Sequence, residues 1–223
     1  LLIVPPITLE ERYARKLDPS AGGFQPPLGL AYIAALLEQN GLEVGIIDAP
    51  TQQMSSSDVL SEIERKAPDI VGISVLTPNA HRGLAIARQV KDEFPNTKII
   101  LGGPHASILG KRILEENSFV DIVVQGEGEY TMLEISQGRP LEKVNGICYR
   151  VNGRIASTSP RRYIENLDKL PFPACHLLPM RMYRPHPNQY RRLPVVHMLA
   201  TRGCPYRCTF CSKSVFGRVY RTR

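Results

Sequence analysis

Short apolar runs alternate with helix-like stretches through the first 138 residues, and this alternation limits the possible folds more than any other feature. The runs predict five β-strands: Leu1–Val4, Glu43–Asp48, Ile70–Leu76, Lys98–Leu101 and Asp121–Val124. Helix-spaced apolar residues predict five helices: Leu28–Gln39, Ser57–Lys66, Ala80–Phe94, Ser107–Glu116 and Gly128–Gln137. Strands that alternate with helices in this way indicate a parallel α/β sheet, because each parallel strand needs a long crossover.

The order of these elements predicts a flavodoxin-like, doubly wound, five-stranded parallel sheet over residues 1–138. In such a sheet the ligand lies at the carboxyl ends of the strands, where the strand order reverses. Residues 139–194 are predicted to form a hairpin and a linker. The hairpin covers Asn145–Ser157 and turns at Asn152-Gly153. The rest, rich in proline, arginine and tyrosine, is predicted to drape over a neighbouring domain.

Polar and glycine residues follow three of the predicted strands at their carboxyl ends. Ser74, Leu76 and Thr77 come at the end of the third strand, Gly102-Gly103 after the fourth, and Gly126-Glu127 after the fifth. Glycines let a planar ligand approach the backbone closely, and the helix N-termini that follow suit a phosphate group. A nicotinamide site is disfavoured, because Thr131 stands where the G-x-G-x-x-G motif needs its third glycine.

Three cysteines stand in one short loop, as Cys204-x₃-Cys208-x₂-Cys211, in the predicted third segment 195–223. The run before them, Val195–Thr201, is predicted to be a buried strand. Three thiolates can hold three irons of a 4Fe–4S cluster and leave the fourth iron open. A zinc knuckle or a disulfide loop is the alternative. Zinc normally takes a fourth Cys or His, and His197 or Cys175 would have to return in space to supply it.

These motifs resemble those of the radical S-adenosylmethionine (radical SAM) enzymes that also bind cobalamin. The cysteine spacing, with Phe210 before the last cysteine, is similar to the radical SAM pattern. Ser-x-Leu after the third strand and Gly-Gly after the fourth are similar to the cobalamin-binding domain. The phrases GGPH, QGEGE and CSKSVFGR are typical of the class that includes anaerobic magnesium-protoporphyrin ester cyclases and radical methyltransferases. The resemblance covers essentially the whole chain.

The resemblance implies three cofactors, namely cobalamin, a 4Fe–4S cluster and S-adenosylmethionine. The residues that it assigns to cobalamin are Ser74, Leu76, Thr77, Gly102, Gly103, Gly126 and Glu127. It assigns Cys204, Cys208 and Cys211 to the cluster and places Phe210 near the adenine of S-adenosylmethionine. The Asp-x-His-x-x-Gly motif that gives cobalt a histidine in many cobalamin-binding domains is missing after the first strand. The sequence therefore does not assign a lower axial ligand to cobalt.

The implied reaction is reductive cleavage of S-adenosylmethionine, followed by methyl transfer or oxidative cyclisation at an unactivated carbon of a small-molecule substrate. An electron donor such as flavodoxin or ferredoxin is implied as a partner. Only nineteen residues (223 − 204) follow Cys204. We therefore expect only the first strand of a truncated radical SAM barrel, with no assignable catalytic residue, and no turnover by this chain alone. The alternative is a non-catalytic corrinoid-binding module with an incidental metal site.

A methylthiotransferase shares the CxxxCxxC spacing but carries three further cluster cysteines in its N-terminal domain. Residues 1–138 contain no cysteine, which excludes that class. No apolar run approaches the roughly 20 residues of a membrane span. Together with thiolates that need a reducing compartment, this predicts a cytoplasmic protein.

Charge is divided unevenly along the chain. Residues 1–138 carry 11 Lys+Arg and 18 Asp+Glu (11 − 18 = −7), whereas residues 139–223 carry 17 and 3 (17 − 3 = +14), which sums to the net charge of +7. The basic residues come singly or in pairs, so a nucleic-acid surface is disfavoured. The basic half is expected instead to face an acidic part of the protein or an anionic substrate.

Overall fold

The computed structural model describes residues 1–8, 11, 23–212 and 215–223. Seven strands form one sheet: β1 Leu2–Val4, β2 Ile46–Asp48, β3 Ile70–Ser74, β4 Lys98–Gly102, β5 Ile122–Val124, β6 Ile147–Val151 and β7 Arg154–Ser157. Their spatial order is β2-β1-β3-β4-β5-β6-β7. The prediction of an α/β protein with a mostly parallel sheet is therefore confirmed, although the sheet has seven strands and not five.

The first five strands run parallel to one another. β1 lies between β2 and β3, so the strand order reverses at the β1–β3 boundary. The loops at the carboxyl ends of β1 and β3 lead to opposite faces of the sheet at such a boundary and leave a crevice between them. This boundary is where the chain offers a ligand site.

The two additional strands come from the predicted hairpin. β6 pairs antiparallel with β5, and β7 pairs antiparallel with β6. Asn152 (φ 48°) and Gly153 (φ 73°) occupy the left-handed region that a two-residue hairpin turn requires. The hairpin is confirmed, and it extends the parallel sheet at the β5 edge.

Within residues 23–212, five α-helices cover the faces of the sheet: α1 Leu28–Gln39, α2 Ser56–Lys66, α3 Ala80–Glu93, α4 Pro104–Glu116 and α5 Glu129–Ser136. Helix α1 has apolar residues on nearly every side, which indicates a helix that is covered all round. One side packs on the sheet through Leu30, Ala34 and Ala35. No helix in the described part of the chain is long and apolar enough to cross a membrane.

The predicted linker covers the other side of α1. Tyr32 and Leu36 pack against Ile164, Leu167 and Leu170. Further along the linker, Leu178 and Tyr183 pack against Ala31. The segment therefore drapes over the first 138 residues of its own chain and carries it back towards the carboxyl edge of the sheet.

The prediction of a buried strand at Val195–Thr201 is wrong. Only Thr201–Arg202 forms a strand (β8), and it pairs antiparallel with Arg221–Thr222 (β9). Residues 195–200 have no regular secondary structure, no strand in the described residues pairs with them, and Val196 and Met198 are 73% and 69% exposed. An apolar run becomes a buried strand only where neighbouring strands cover it, and the run's composition does not supply those neighbours.

Candidate functional site

A largely apolar cavity of about 220 Å³ lies under the carboxyl ends of β3, β4 and β5. Its floor is the sheet, and its walls come from α1 and α5. The apolar lining residues from the sheet and these two helices are Leu2, Leu30, Ile33, Ile73, Ile100, Val124 and Met132, and Leu199, Val215 and Phe216 add to the lining from the C-terminal segment. Five of the seven residues assigned to cobalamin from the sequence also line it: Ser74, Gly102, Gly103, Gly126 and Glu127.

Parallel pairing of β3 and β4 brings the first two of these motifs together. Ser74 and Gly102 are direct partners in the register of the two strands. A Cβ added to Gly102 would meet no heavy atom within 4 Å. Gly102 therefore leaves open a part of the cavity that a side chain would occupy.

The second glycine of the pair has a different role. Gly103 has φ +94°, and a Cβ there would lie 2.8 Å from the carbonyl oxygen of Val75. Ser107 then ties this turn to the loop after β5, because its Oγ donates to the Gly103 carbonyl (2.9 Å) and accepts from the Gly126 N–H (3.0 Å). Two loops of the cavity are thus held together by one hydroxyl.

Leu76 and Thr77 lie outside this cavity. Leu76 lines a neighbouring cavity of about 320 Å³, which shares Gly29, Leu30 and Ser74 with the first and extends over β1 and β2. The exposed Thr77 contacts His105, with Oγ1 and Nδ1 3.2 Å apart. The motif after β3 therefore divides between two adjoining cavities.

The second cavity contains a buried acidic residue, Asp48, at the end of β2. Its Oδ2 accepts a hydrogen bond from the Tyr183 hydroxyl at 2.8 Å. Burial and the neighbouring Asp48 carboxylate raise the pKa of Tyr183 above its ordinary value. The phenol therefore stays protonated and fixes the linker to the edge of the sheet.

Four buried charged residues connect the loop after β5 with the β8–β9 hairpin, and we call them the anchor cluster: Glu127, Glu129, Arg202 and Arg221. Each is between 3% and 6% exposed. Arg202 donates to Glu127 Oε1 (3.2 Å) and Glu129 Oε1 (2.6 Å). Arg221 Nη1 lies 2.8 Å from both oxygens of Glu127. Both carboxylate oxygens of Glu127 therefore accept hydrogen bonds from residues of the same chain.

The cysteine loop, residues 204–211, follows directly after β8 and Gly203. All three cysteines are free; Cys204 is half-buried, and Cys208 and Cys211 are exposed. Among the described residues, no three His, Cys, Asp or Glu side chains stand close enough to hold a metal ion as they are, so neither His197 nor Cys175 completes such a group there. Phe210 is 91% exposed.

The sequence analysis assigned no role to Arg202, Glu129 or Arg221, although all three are buried and paired. A signal was available, because the acidic first half and the basic second half are complementary in charge. Glu134 on α5 also pairs with Arg139 and Arg161 of the basic half. Part of the basic half thus faces an acidic part of the same chain.

Comparison with known proteins identifies the family. Residues 16–136, more than half of the chain, match the family described as "B12 binding domain". The chain belongs to the B12-binding-domain family. The matched residues include the sheet edges and loops that line the apolar cavity, up to the last residue of α5.

Two relatives match this chain beyond the B12-binding domain. The chain is 34% identical to an uncharacterized methyltransferase of Pyrococcus horikoshii, over 99% of this chain and 47% of the relative. It is 35% identical to the anaerobic magnesium-protoporphyrin IX monomethyl ester cyclase of Rubrivivax gelatinosus, over 90% of this chain and 37% of that protein. The chain spans less than half the length of these relatives.

A solved structure shares the fold. The cobalamin-dependent S-adenosylmethionine radical enzyme OxsB, with aqua-cobalamin and S-adenosylmethionine bound, superposes with a TM-score of 0.78 at 20% identity, over 99% of this chain and 29% of OxsB. The recognition made from the sequence is confirmed: the chain has a B12-binding domain, and its homologues are cobalamin-dependent radical SAM methyltransferases and magnesium-protoporphyrin cyclases.

Proposed function

We propose that this chain is the cobalamin-binding part, together with the cluster loop, of a radical SAM enzyme that performs methyl transfer or oxidative cyclisation at an unactivated carbon of a small molecule. In this proposal residues 1–138 bind cobalamin, residues 139–194 connect, and residues 195–223 begin the radical SAM domain. The single observation that carries it is the apolar cavity, which lies at the carboxyl ends of the parallel strands, as the ligand site of a doubly wound sheet does, and is lined by five of the seven residues that the sequence resemblance assigns to cobalamin.

The lining of the cavity suits the base of the cobalamin nucleotide tail in its chemistry. Its lining is mostly apolar, as the flat dimethylbenzimidazole base requires, and Gly102 leaves the space that a side chain would fill. Ser74, Gly103 and Gly126 also line the cavity. Leu76 and Thr77 lie at the neighbouring rim, where we propose that they contact the rest of the corrinoid.

The cysteine loop fits an iron–sulfur cluster in its donor chemistry. Cys204, Cys208 and Cys211 are three free thiols within eight residues, and two of them are exposed. When bound, a 4Fe–4S cluster supplies the electron that cleaves S-adenosylmethionine, and cobalamin supplies methyl-transfer or oxidative chemistry. The chain's own residues ligate the cluster, seat the corrinoid tail and exclude water from the cavity. Phe210 is proposed to cover the adenine of S-adenosylmethionine, with a flavodoxin or ferredoxin as electron donor.

Titration with two corrinoids tests the cavity. Hydroxocobalamin carries the nucleotide tail and cobinamide lacks it, so we expect hydroxocobalamin to bind one per chain and cobinamide to bind at least about tenfold more weakly, a difference of roughly 1.4 kcal/mol. Gly102→Leu fills the cavity and should lower the affinity for hydroxocobalamin while leaving that for cobinamide unchanged.

The matched control is Ala85→Leu, which adds the same side chain to the exposed surface of α3. It should bind both corrinoids as the natural chain does. Equal affinity for hydroxocobalamin and cobinamide, or normal hydroxocobalamin binding by Gly102→Leu, would contradict the proposed tail site. Binding of cobalt but no iron by the natural chain would favour the non-catalytic corrinoid-binding module.

A further inference from the structure

The anchor cluster joins the two halves of the proposed active site. Arg202 immediately precedes Gly203 and Cys204, whereas Glu127 and Glu129 belong to the loop and helix after β5. Arg202, Glu127 and Glu129 also line the apolar cavity, together with Leu199 and Phe216 from either side of the cysteine loop. The same residues therefore touch the space for the corrinoid tail and hold the start of the loop.

Most of the buried polar atoms of the anchor cluster are hydrogen-bonded, and among the described residues Glu129 Oε2 and Arg221 Nη2 have no partner. Glu127 Oε1 accepts from both arginines, and Oε2 accepts from Arg221 and from the backbone N–H of Ile164 at 2.8 Å. Arg202 also lies over the Tyr32 ring (5.3 Å) and the Phe216 ring (5.9 Å). Burial opposes the charge on the Arg202 guanidinium, but the attraction of Glu129 and Glu127 outweighs it and raises the pKa of Arg202.

A buried charge that loses its partner keeps the cost of desolvation without the compensating attraction. Gly203 adds a tight contact, because a Cβ there would lie 2.0 Å from the carbonyl oxygen of Val219. Loss of one partner in the anchor cluster is therefore expected to weaken the docking of the whole β8–β9 hairpin.

We propose that the anchor cluster couples occupation of the apolar cavity to docking of the cysteine loop. A corrinoid tail in the cavity contacts the docked hairpin through Leu199, Arg202 and Phe216 and so stabilises it. By reciprocity, the docked hairpin raises the affinity for the corrinoid. Glu127, Arg202 and Arg221 are then positioning residues that set where the cluster stands relative to cobalt. The inference rests on the proposed function.

Arg221 provides the sharpest test, because it holds the hairpin but does not line the cavity. Amide hydrogen exchange of residues 199–203 and 219–223 is measured with and without hydroxocobalamin. In the natural chain the corrinoid should slow this exchange by about tenfold, within the usual 5- to 150-fold range of coupling between sites. In Arg221→Gln the exchange should be fast with or without corrinoid, and the affinity for hydroxocobalamin should fall by about tenfold.

Asp121→Asn is the matched control. Asp121 also pairs with a cation, Lys91, and accepts from the Ile99 N–H, but it lies at the amino end of the sheet. The variant removes one charge and one ion pair and should keep both the corrinoid affinity and the protection of the hairpin. If Arg221→Gln does not fold, Arg221→Lys keeps the charge, loses the branched donor and should show a smaller effect in the same direction.

The outcomes separate this inference from the proposed function. Hydroxocobalamin binding without protection of residues 199–203 and 219–223, or normal affinity in Arg221→Gln, overturns the coupling and leaves the cobalamin site intact. Equal loss in Arg221→Gln and Asp121→Asn also overturns it, because general destabilisation would then explain the effect. Absence of hydroxocobalamin binding by the natural chain overturns both.

Discussion

The carboxyl edge of the sheet and the cysteine loop are the two parts of the proposed site, and they are built in opposite ways. The edge consists of backbone and small side chains held between buried strands, and most of its cavity is lined by the sheet, α1 and α5. The loop carries two of its three cysteines in solvent and is tied to the rest by the anchor cluster at its base. The comparison teaches that the proposed corrinoid site is built mainly from the packed sheet and its helices, whereas the proposed cluster site is attached to them through one network of ion pairs.

The largest expected difference between the two regions is in the cost of removing apolar side chains. Leu101 in β4 is fully buried, so Leu101→Ala should lower the free energy of unfolding by about 2–5 kcal/mol. Met198 beside the cysteine loop is mostly exposed, and Met198→Ala should change the free energy of unfolding by no more than about 0.5 kcal/mol. Urea denaturation measures both. Comparable losses in the two variants would show that the segment before the loop is packed as firmly as the sheet.

A smaller effect should separate the two glycines at the carboxyl end of β4, Gly102 and Gly103. Gly103→Ala places a Cβ 2.8 Å from a carbonyl oxygen at positive φ and should cost roughly 1–3 kcal/mol. Gly102→Ala meets no atom within 4 Å and has no such strain, so its cost should stay below about 1 kcal/mol. Thermal and urea unfolding of the two variants measures this difference in stability. Equal destabilisation by both would contradict the open space assigned to Gly102.

A still smaller effect is expected from Ser107, which joins two loops of the cavity. Ser107→Ala leaves the Gly126 N–H without its acceptor and should cost about 1 kcal/mol of stability. It should also weaken hydroxocobalamin binding by a few fold, because the loops after β4 and β5 lose their link. Ser57→Ala, on the exposed first turn of α2, is the control that should leave the affinity unchanged. Unchanged affinity in Ser107→Ala would mean that the link does not matter to the cavity.

The sequence predicted the carboxyl edge well because its signals are local. Helix periodicity at Leu28–Gln39 and the Asn152-Gly153 turn each specify their own conformation, and the structure has both elements at the predicted residues. Parallel pairing then brings Ser74 and Gly102 side by side. Residues far apart in the chain could be placed at one edge because the order of elements allows few topologies.

The region around the cysteine loop was predicted less well because its structure depends on distant contacts. Val195–Thr201 has the composition of a buried strand, but only its last residue belongs to a strand. The contact of Arg202 with Glu127 and Glu129 joins residues more than 70 positions apart, and no local pattern specifies it. Charge complementarity between the two halves pointed to such contacts without naming the residues.

The most direct test of the account is a metal count after anaerobic reconstitution with iron, sulfide and hydroxocobalamin. The natural chain should retain about four irons and one cobalt. Cys208→Ala should lose iron and keep cobalt, because Cys208 does not line the cavity, whereas Gly102→Leu should lose cobalt and keep iron. If Cys208→Ala kept its iron, or if Gly102→Leu kept its cobalt, the assignment of cluster and corrinoid to these two regions would be contradicted.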